Sequence, residues 1–527
     1  MTAILRSMLS ISAATVLSRA TGFLRMMAFA FVLGTTLVGQ AYVVSALLPS
    51  LIYELFLGGI FYSILIPILM DRMTHHGEED ARRLTNALFT VAMPLLAVVT
   101  LIGIVFAEPL VRLATDWGST QELSPSEAQR VIDVAVLFFR IFAVQMLFYG
   151  INTIATGVLQ AHRHFFLPTF APVLNNLIIV GSFGAYYLIA PANQTLAIYV
   201  LAGGATFGVA IMALALVPTM LKLGYRPSLQ FGHSALAYAA RLAAPMLLLV
   251  AASVGLQLVA NYFATSFNAA AELGLAFVIF SLPYGVFVVA IVTALMPELS
   301  EQHSRGNTAG YRDTLSFGLR LVVFVVVPST VVMTILAKPL VGLLYERGRF
   351  DAQDTQTVAT LLAGYAVGLL GYGVYFLLVR AFYSQQNTIT PALLNVSLFI
   401  LYTAVVYLLS QTSVGVVSVV LALSGAYTLL AIAGLIAMRR TIKRIGGRDL
   451  LRALAKTLAA GIVMAGVAWG GMIISGPGSG AAERALIVSF VGGASVAAYL
   501  GTAYLLKLEE IQWASNLLKK RISGAEG

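Results

Sequence analysis

Two arginines and one glutamate stand within apolar stretches long enough to cross a lipid bilayer. Arg19 and Arg25 lie six positions apart in the first stretch. On a helix they point about 120° from one another with about 9 Å of rise between them. A charge at that depth costs about 2.5–3.5 kcal/mol on insertion scales, so such residues face a cavity, find a partner or reach back to the interface. Arg19 is close enough to the end of the stretch to snorkel, whereas Arg25 is deeper. Thr21-Gly22 between them permits a bend. Glu54 lies in the second stretch. With a hairpin turn near Leu37, Arg19 precedes the turn by almost the same length of chain as Glu54 follows it, so the two share one depth. A structural Arg19–Glu54 pair and a substrate-binding role for Glu54 both fit. Arg25 is then the uncompensated cation. A guanidinium without its own carboxylate suits a pyrophosphate, because its planar fork matches phosphate oxygens.

Other chemistry is sparse. The chain has no cysteine, which excludes disulfides, thiolate nucleophiles and cysteine metal sites. All six histidines fall in loops expected on the cytoplasmic side, and no P-loop pattern occurs. Neither a cofactor nor a catalytic residue is expected. Coupling to an ion or to the membrane potential is the expected energy source.

The elements that must position these residues are transmembrane helices. Of 527 residues, 59% are hydrophobic and 10% charged, against about 25% charged in soluble domains. Within hydrocarbon only helices and closed barrels satisfy their backbone, and ten-residue alternating strands are missing. The sequence predicts an all-α integral membrane protein with fourteen spans near 9–33, 42–70, 86–107, 140–161, 168–190, 197–221, 238–262, 273–295, 317–337, 357–379, 392–410, 413–437, 453–475 and 485–506. Segment 108–139 is expected to be extramembrane, with an amphipathic surface helix. The first span, broken by Arg19 and Arg25, is expected to be uncleaved.

The net charge of +10 sits in short loops, which reads as membrane topology rather than nucleic-acid binding. Of the 32 Lys and Arg, 23 fall on the side holding both termini, 7 on the other, and the remaining two are Arg19 and Arg25. Both termini are therefore expected in the cytoplasm. The basic run Arg439 to Lys456 serves that orientation and offers a surface to anionic headgroups. Ser475 to Gly480 reads as a flexible outer loop.

Landmarks repeat along the chain. Pro67 and Pro297, Pro109 and Pro339, and Gly118 and Gly348 share one interval in the numbering, 230; Tyr149 and Tyr372, and Pro168 and Pro391, share a slightly shorter one, 223. Each copy would hold six spans, an even number, giving two parallel six-helix lobes with a pathway between them. The organisation expected is 1–225 (first lobe), 226–445 (second lobe) and 446–527 (two further helices and a tail).

Ser18-Arg19-Ala20-Thr21-Gly22-Phe23-Leu24-Arg25 resembles the MurJ (MviN) lipid II flippases of the multidrug/oligosaccharidyl-lipid/polysaccharide exporter superfamily. The resemblance continues through Leu48-Pro49-Ser50-Leu51, Gly59-Ile60-Phe61 and Ile66-Pro67-Ile68-Leu69. It extends to Phe165 through Pro172 (with Pro168 and Pro172), Asn175, Leu344 to Phe350, Arg380-Ala381-Phe382-Tyr383-Ser384 and Thr390-Pro391. It implies export of undecaprenyl-pyrophosphate-linked peptidoglycan precursor across the inner membrane, with Arg19 and Arg25 lining a cationic cavity and the last two spans forming a groove for the lipid tail. Gly22, Pro49, Gly59, Pro168, Pro172, Asn175, Arg380 and Pro391 are the motif positions. Membrane lipids and cell-wall synthesis or division proteins are the further partners implied. Departures from the family pattern are Met26 after the second arginine, Gln40 before Ala41-Tyr42, Tyr53-Glu54 in place of an arginine pair, and Val278 in span 8. The alternatives are a flippase for another polyprenyl-linked glycan, a cation-coupled drug antiporter that cycles Glu54, and a non-transporting scaffold.

Overall fold

The computed structural model describes residues 2–120, 122–443 and 447–511; the side chains of residues 2–9, 57–64, 237–246 and 448 lie outside the description. The motif glycine Gly59 is among these side chains, as are Arg6 and Arg241. Residues 444–446 of the basic run and the C-terminal Lys519, Lys520 and Arg521 also lie outside the described residues.

Among the described residues thirteen helical stretches are long and apolar enough to cross a membrane, and a bent pair supplies a fourteenth. The chain divides into two compact units, Met1–Ala271 with Arg347–Phe350, and Glu272–Glu346 with Asp351–Gly527.

The first unit holds α1 (Thr2–Val32), α2 (Leu37–Tyr53), a π turn (Glu54–Gly58), α3 (Gly59–His75), α4 (Glu78–Val105) and α5 (Ala107–Ala114). It continues with α6 (Pro125–Ala143), α7 (Gln145–Ala161), α8 (Phe166–Ile189), α9 (Gln194–Leu214), α10 (Val217–Lys222) and α11 (Ser234–Ser266). Lipid gives helices little hydrophobic reason to associate, so close packing at small residues does the work. A Cβ at Gly157 would lie 2.6 Å from the Leu65 side chain, so α7 meets α3 there. The buried Leu65, Leu69, Leu84, Leu88, Met146 and Val158 close this core.

Segment 108–139 requires correction. Only residues 106–124 separate the spans, with α5 as their short helix, and Pro125–Ala161 forms one apolar stretch. Ser124 and Glu127 form a capping box that starts α6 early, carrying the polar first turns of the span beyond the apolar part. Arg130 and Arg140 ride on α6.

Helix α11, which by sequence opens the second lobe, packs in the first unit, which is why compactness puts the division at residue 271 rather than 225. Leu51 of α2 buries against Val250 and Val254 of α11. Asn261 Nδ2 donates to the Ala114 carbonyl at 2.8 Å, and the Asp116 N–H donates to Thr265 Oγ1 at 2.8 Å.

The second unit takes α12 (Ala270–Pro283) from Glu272 onward, a second π turn (Tyr284–Val288), α13 (Val289–Ser304), α14 (Thr308–Ile335) and α15 (Ala337–Tyr345). There follow α16 (Ala352–Val367) and α17 (Leu369–Ser384), bent by 47°, then α18 (Ile389–Ser410), α19 (Val417–Ile442), α20 (Gly447–Ser475) and α21 (Ala481–Leu505). The last two helices fasten to α14 and α15. Arg320 of α14 meets Glu509 at 2.7 Å, and Tyr499 of α21 donates to the Phe324 carbonyl at 2.6 Å. Arg484 at the start of α21 pairs with Glu346 at 2.7 Å, and Thr355 donates to the other Glu346 oxygen.

The repeat read from prolines and glycines recurs in the helix boundaries. The π turns start at Glu54 and Tyr284, separated by the same interval as the paired prolines, and α4 and α14 match at both ends in the same way. After the outer loop the shorter interval takes over, relating the starts of α8 and α18 and of α9 and α19.

Candidate functional site

Arg19 and Arg25 sit on α1, the first exposed and the second half-buried. Helix α8 holds this part of α1 in place. Asn176 Nδ2 donates to Thr21 Oγ1 at 3.2 Å and reaches the Ser18 carbonyl at 3.4 Å. Gly22 gives the room, since a Cβ there would sit 3.5 Å from the same amide nitrogen. The unbroken helix Thr2–Val32 carries both arginines, so Thr21-Gly22 marks a helix contact and not a break.

Asn176 was not a sequence candidate; its neighbour Asn175 was. The signal was there in the Asn175-Asn176 pair inside an apolar helix, but which amide meets α1 depends on how α8 is rotated. Asn175 Oδ1 is buried without a hydrogen-bond partner against α9, where a Cβ at Gly208 would come within 2.6 Å of it.

Among the described residues neither arginine has a carboxylate within ion-pair distance. The Arg19–Glu54 pair permitted by equal depth does not form. Glu54 opens the π turn, half-buried. Single π turns inside α-helices are rare overall and frequent at functional sites.

Tyr42 belongs to an aromatic core with Phe29, Phe138, Phe142 and Phe183 at centroid distances of 5.5–6.0 Å. Tyr149 donates to Gln145 Oε1 at 3.0 Å, whose amide donates to Thr206 at 3.2 Å. Tyr53, which stands where the family pattern has an arginine, shares a 2.6 Å hydrogen bond with Thr153 and packs on Tyr149 at 5.5 Å. The first unit therefore holds a half-buried guanidinium without a carboxylate partner among the described residues, together with tyrosine hydroxyls engaged by Gln145 and Thr153.

Gln40 has a structural account. Its Nε2 donates to the Asn268 carbonyl at 2.7 Å and its Oε1 accepts the Ala271 N–H at 2.9 Å. A carboxylate could accept but not donate, so the amide suits this turn. Also in this unit, the segment Arg347–Phe350 lies on the end of α1. The Arg349 N–H donates to the Phe31 carbonyl at 3.0 Å. Gly348, at φ 64°, abuts that same carbonyl, and Gly34, at φ 54°, faces the Arg349 carbonyl.

The remaining motif positions scatter. Pro49 is buried inside α2, one turn before the π turn; Pro168 and Pro172 lie in the first half of α8, half-buried. In the second unit Pro391 is buried at the start of α18, and Arg380 is exposed on α17 with its guanidinium 5.3 Å from the Phe376 ring centre. Val278 is half-buried on α12. Among the described residues no group of three or more His, Asp or Glu is arranged to hold a metal ion.

The family described as Lipid II flippase MurJ matches residues 29–481. That match starts after both arginines. A probable lipid II flippase MurJ of Bdellovibrio bacteriovorus is 30% identical over 523 residues, covering 96% of each chain. The lipid II flippase MurJ of Burkholderia cenocepacia is 29% identical over 410 residues, 75% of this chain and 76% of the relative. Among solved structures, one described as lipid II flippase MurJ in an inward closed conformation superposes with a TM-score of 0.74 at 19% identity, over 94% of this chain and 98% of that one. An inward-facing multidrug resistance MATE family transporter of the MOP superfamily gives 0.64 at 14% identity, over 81% and 96%. At those identities the structural likenesses speak for the fold.

Proposed function

Because the chain belongs to the lipid II flippase MurJ family, we propose that it moves lipid II, the undecaprenyl-pyrophosphate-linked peptidoglycan precursor, from the cytoplasmic to the outer leaflet of the inner membrane. The observation that carries the chemistry is Arg25, a half-buried guanidinium within an apolar span and without a carboxylate partner among the described residues. It meets the pyrophosphate, with Arg19 less than two turns away as a second cation and Glu54 at the border of the same path.

Two parallel six-helix lobes alternate their access to the two leaflets, both termini lie in the cytoplasm, and α20 and α21 accompany the lipid tail. A negative-inside potential favours outward movement of the anionic headgroup by about 2.3 kcal/mol per charge per 100 mV, so the potential or a coupled ion supplies the drive. Cell-wall synthesis proteins receive the product. Depleting the protein should arrest peptidoglycan synthesis with lipid II trapped in the inner leaflet. A normal leaflet distribution would overturn the reading, and loss of a surface glycan with intact peptidoglycan would point to another polyprenyl-linked substrate, the reading that Tyr53-Glu54 and Val278 favour by making the site less basic.

A further inference from the structure

Between α10 and α11 the chain runs without regular structure from Leu223 to His233, yet it is pinned along α4 at one-turn intervals. Arg82 reaches the Leu223 carbonyl at 3.4 Å. Asn86 donates to Ser228 Oγ at 2.8 Å and accepts the Ser228 N–H at 3.4 Å. The Gln230 N–H donates to Thr90 Oγ1 at 3.0 Å. The chain then turns back, and His233 meets Asp80 at 3.3 Å while its Nδ1 caps α11 by accepting the Ala235 N–H. The segment is a hook whose tip, residues 229–231, lies beside Thr90.

The three side chains it follows are half-buried on α4; further along the helix Val91, Val98 and Ile102 are each at least 50% exposed. The stretch from Asn86 to Val105 rises about 29 Å, the thickness of a hydrocarbon core. Asn86 therefore sits at the hydrocarbon boundary and Thr90 about one turn, or roughly 6 Å, inside it. The hook covers these two polar side chains. In exchange it leaves Leu229 and Phe231 79% and 82% exposed. Lys222 precedes it and Arg226 lies within it, both exposed. Two bulky apolar side chains on a well-fixed loop, below a boundary lined by cations, match the composition of an interfacial anchor.

We propose that residues 223–233 form a lipid-inserted hook, with Leu229 and Phe231 seated at the headgroup–acyl boundary of their leaflet and Lys222 and Arg226 on anionic headgroups. The hook sets the depth of α4 and of the α11 N-terminus, which it caps. It needs no flippase substrate, so it stands or falls separately from the transport reading.

The chain has no cysteine, so single-cysteine variants label at one place. Phe231→Cys and, separately, Leu229→Cys carry an environment-sensitive fluorophore, with Arg305→Cys as the control on an exposed loop. The full-length protein is reconstituted in phosphatidylethanolamine–phosphatidylglycerol vesicles. Lipids brominated near the top of the acyl chain should quench both hook labels severalfold more than the control, and aqueous iodide should quench them severalfold less. Hook labels quenched by iodide as strongly as the control, and untouched by the brominated lipid, would overturn the proposal and mark the loop as a water-facing surface for a protein partner.

Discussion

In the first copy of the repeat the π turn opens with Glu54 and the preceding span carries Arg19 and Arg25; at the corresponding places of the second copy stand Tyr284, Leu249 and Gly255. Tyr149 of the first copy and Tyr372 of the second correspond by the shorter interval. Tyr149 joins a polar chain through Gln145 and Thr206 in a unit that also holds Arg25. Tyr372 packs at 4.6 Å on Tyr284 and at 4.7 Å on Tyr427, among the rings of Phe280, Tyr375 and Phe376. Helix starts, the π turn and the short helix after α4 or α14 recur; the charge does not. Backbone irregularities fix where a helix widens or ends, and both copies need them to hold the same packing. Side chains outside those irregularities carry no such constraint, so one copy holds cations where the other holds apolar residues and a packed set of tyrosine rings.

Removing the cation is the sharpest break in this asymmetry. Arg25→Ala should abolish complementation of a depleted strain, and Arg25→Lys should restore it only in part, because an ammonium lacks the bidentate fork. Glu54→Gln in the same assay should be tolerated; the reverse order of severity would favour a proton- or cation-coupled antiporter. The next largest effect lies in the second unit. Glu346 and Arg484 have side chains 19% and 11% exposed, and Arg484→Ala leaves a carboxylate largely buried without its cation. Loss of about 3–5 kcal/mol is expected, read as a fall in thermal unfolding temperature in detergent, with Arg112→Ala, an exposed pair, near zero.

Gly348→Ala tests whether the positive φ of the outer segment is needed. A Cβ would strike the Phe31 carbonyl, so a loss of about 1–3 kcal/mol is expected, again by thermal unfolding, while Gly118→Ala at the corresponding place, with open space for a Cβ, should cost much less. Asn176→Ala removes the tie between α8 and α1; interhelical hydrogen bonds in membranes are worth about 0.6–1.7 kcal/mol, and transport should fall more than stability if the tie aims Arg25. Smallest of all, Tyr284→Phe deletes one hydroxyl bonded to Tyr372 and keeps the ring, so complementation should be nearly unchanged. A severe loss would show that the aromatic copy also handles the headgroup.

How much of this was legible in the sequence divides along one line. Each span satisfies its own backbone through local hydrogen bonds, so hydropathy alone located fourteen spans, and prolines and glycines that constrain local backbone disclosed the repeat. The N-terminal extension of α6 depended on a local signal too, the Ser124–Glu127 box, which is short enough to be read as loop. Depth along a helix is likewise local arithmetic, and it placed Arg19 level with Glu54. Rotation about the helix axis and lateral position are not local: they come from which small residues let which helices approach. That is why only the tertiary structure decided that Arg19 and Glu54 stay apart, that Asn176 rather than Asn175 grips α1, that α11 belongs with the first unit, and that the loop after α10 is pinned along α4.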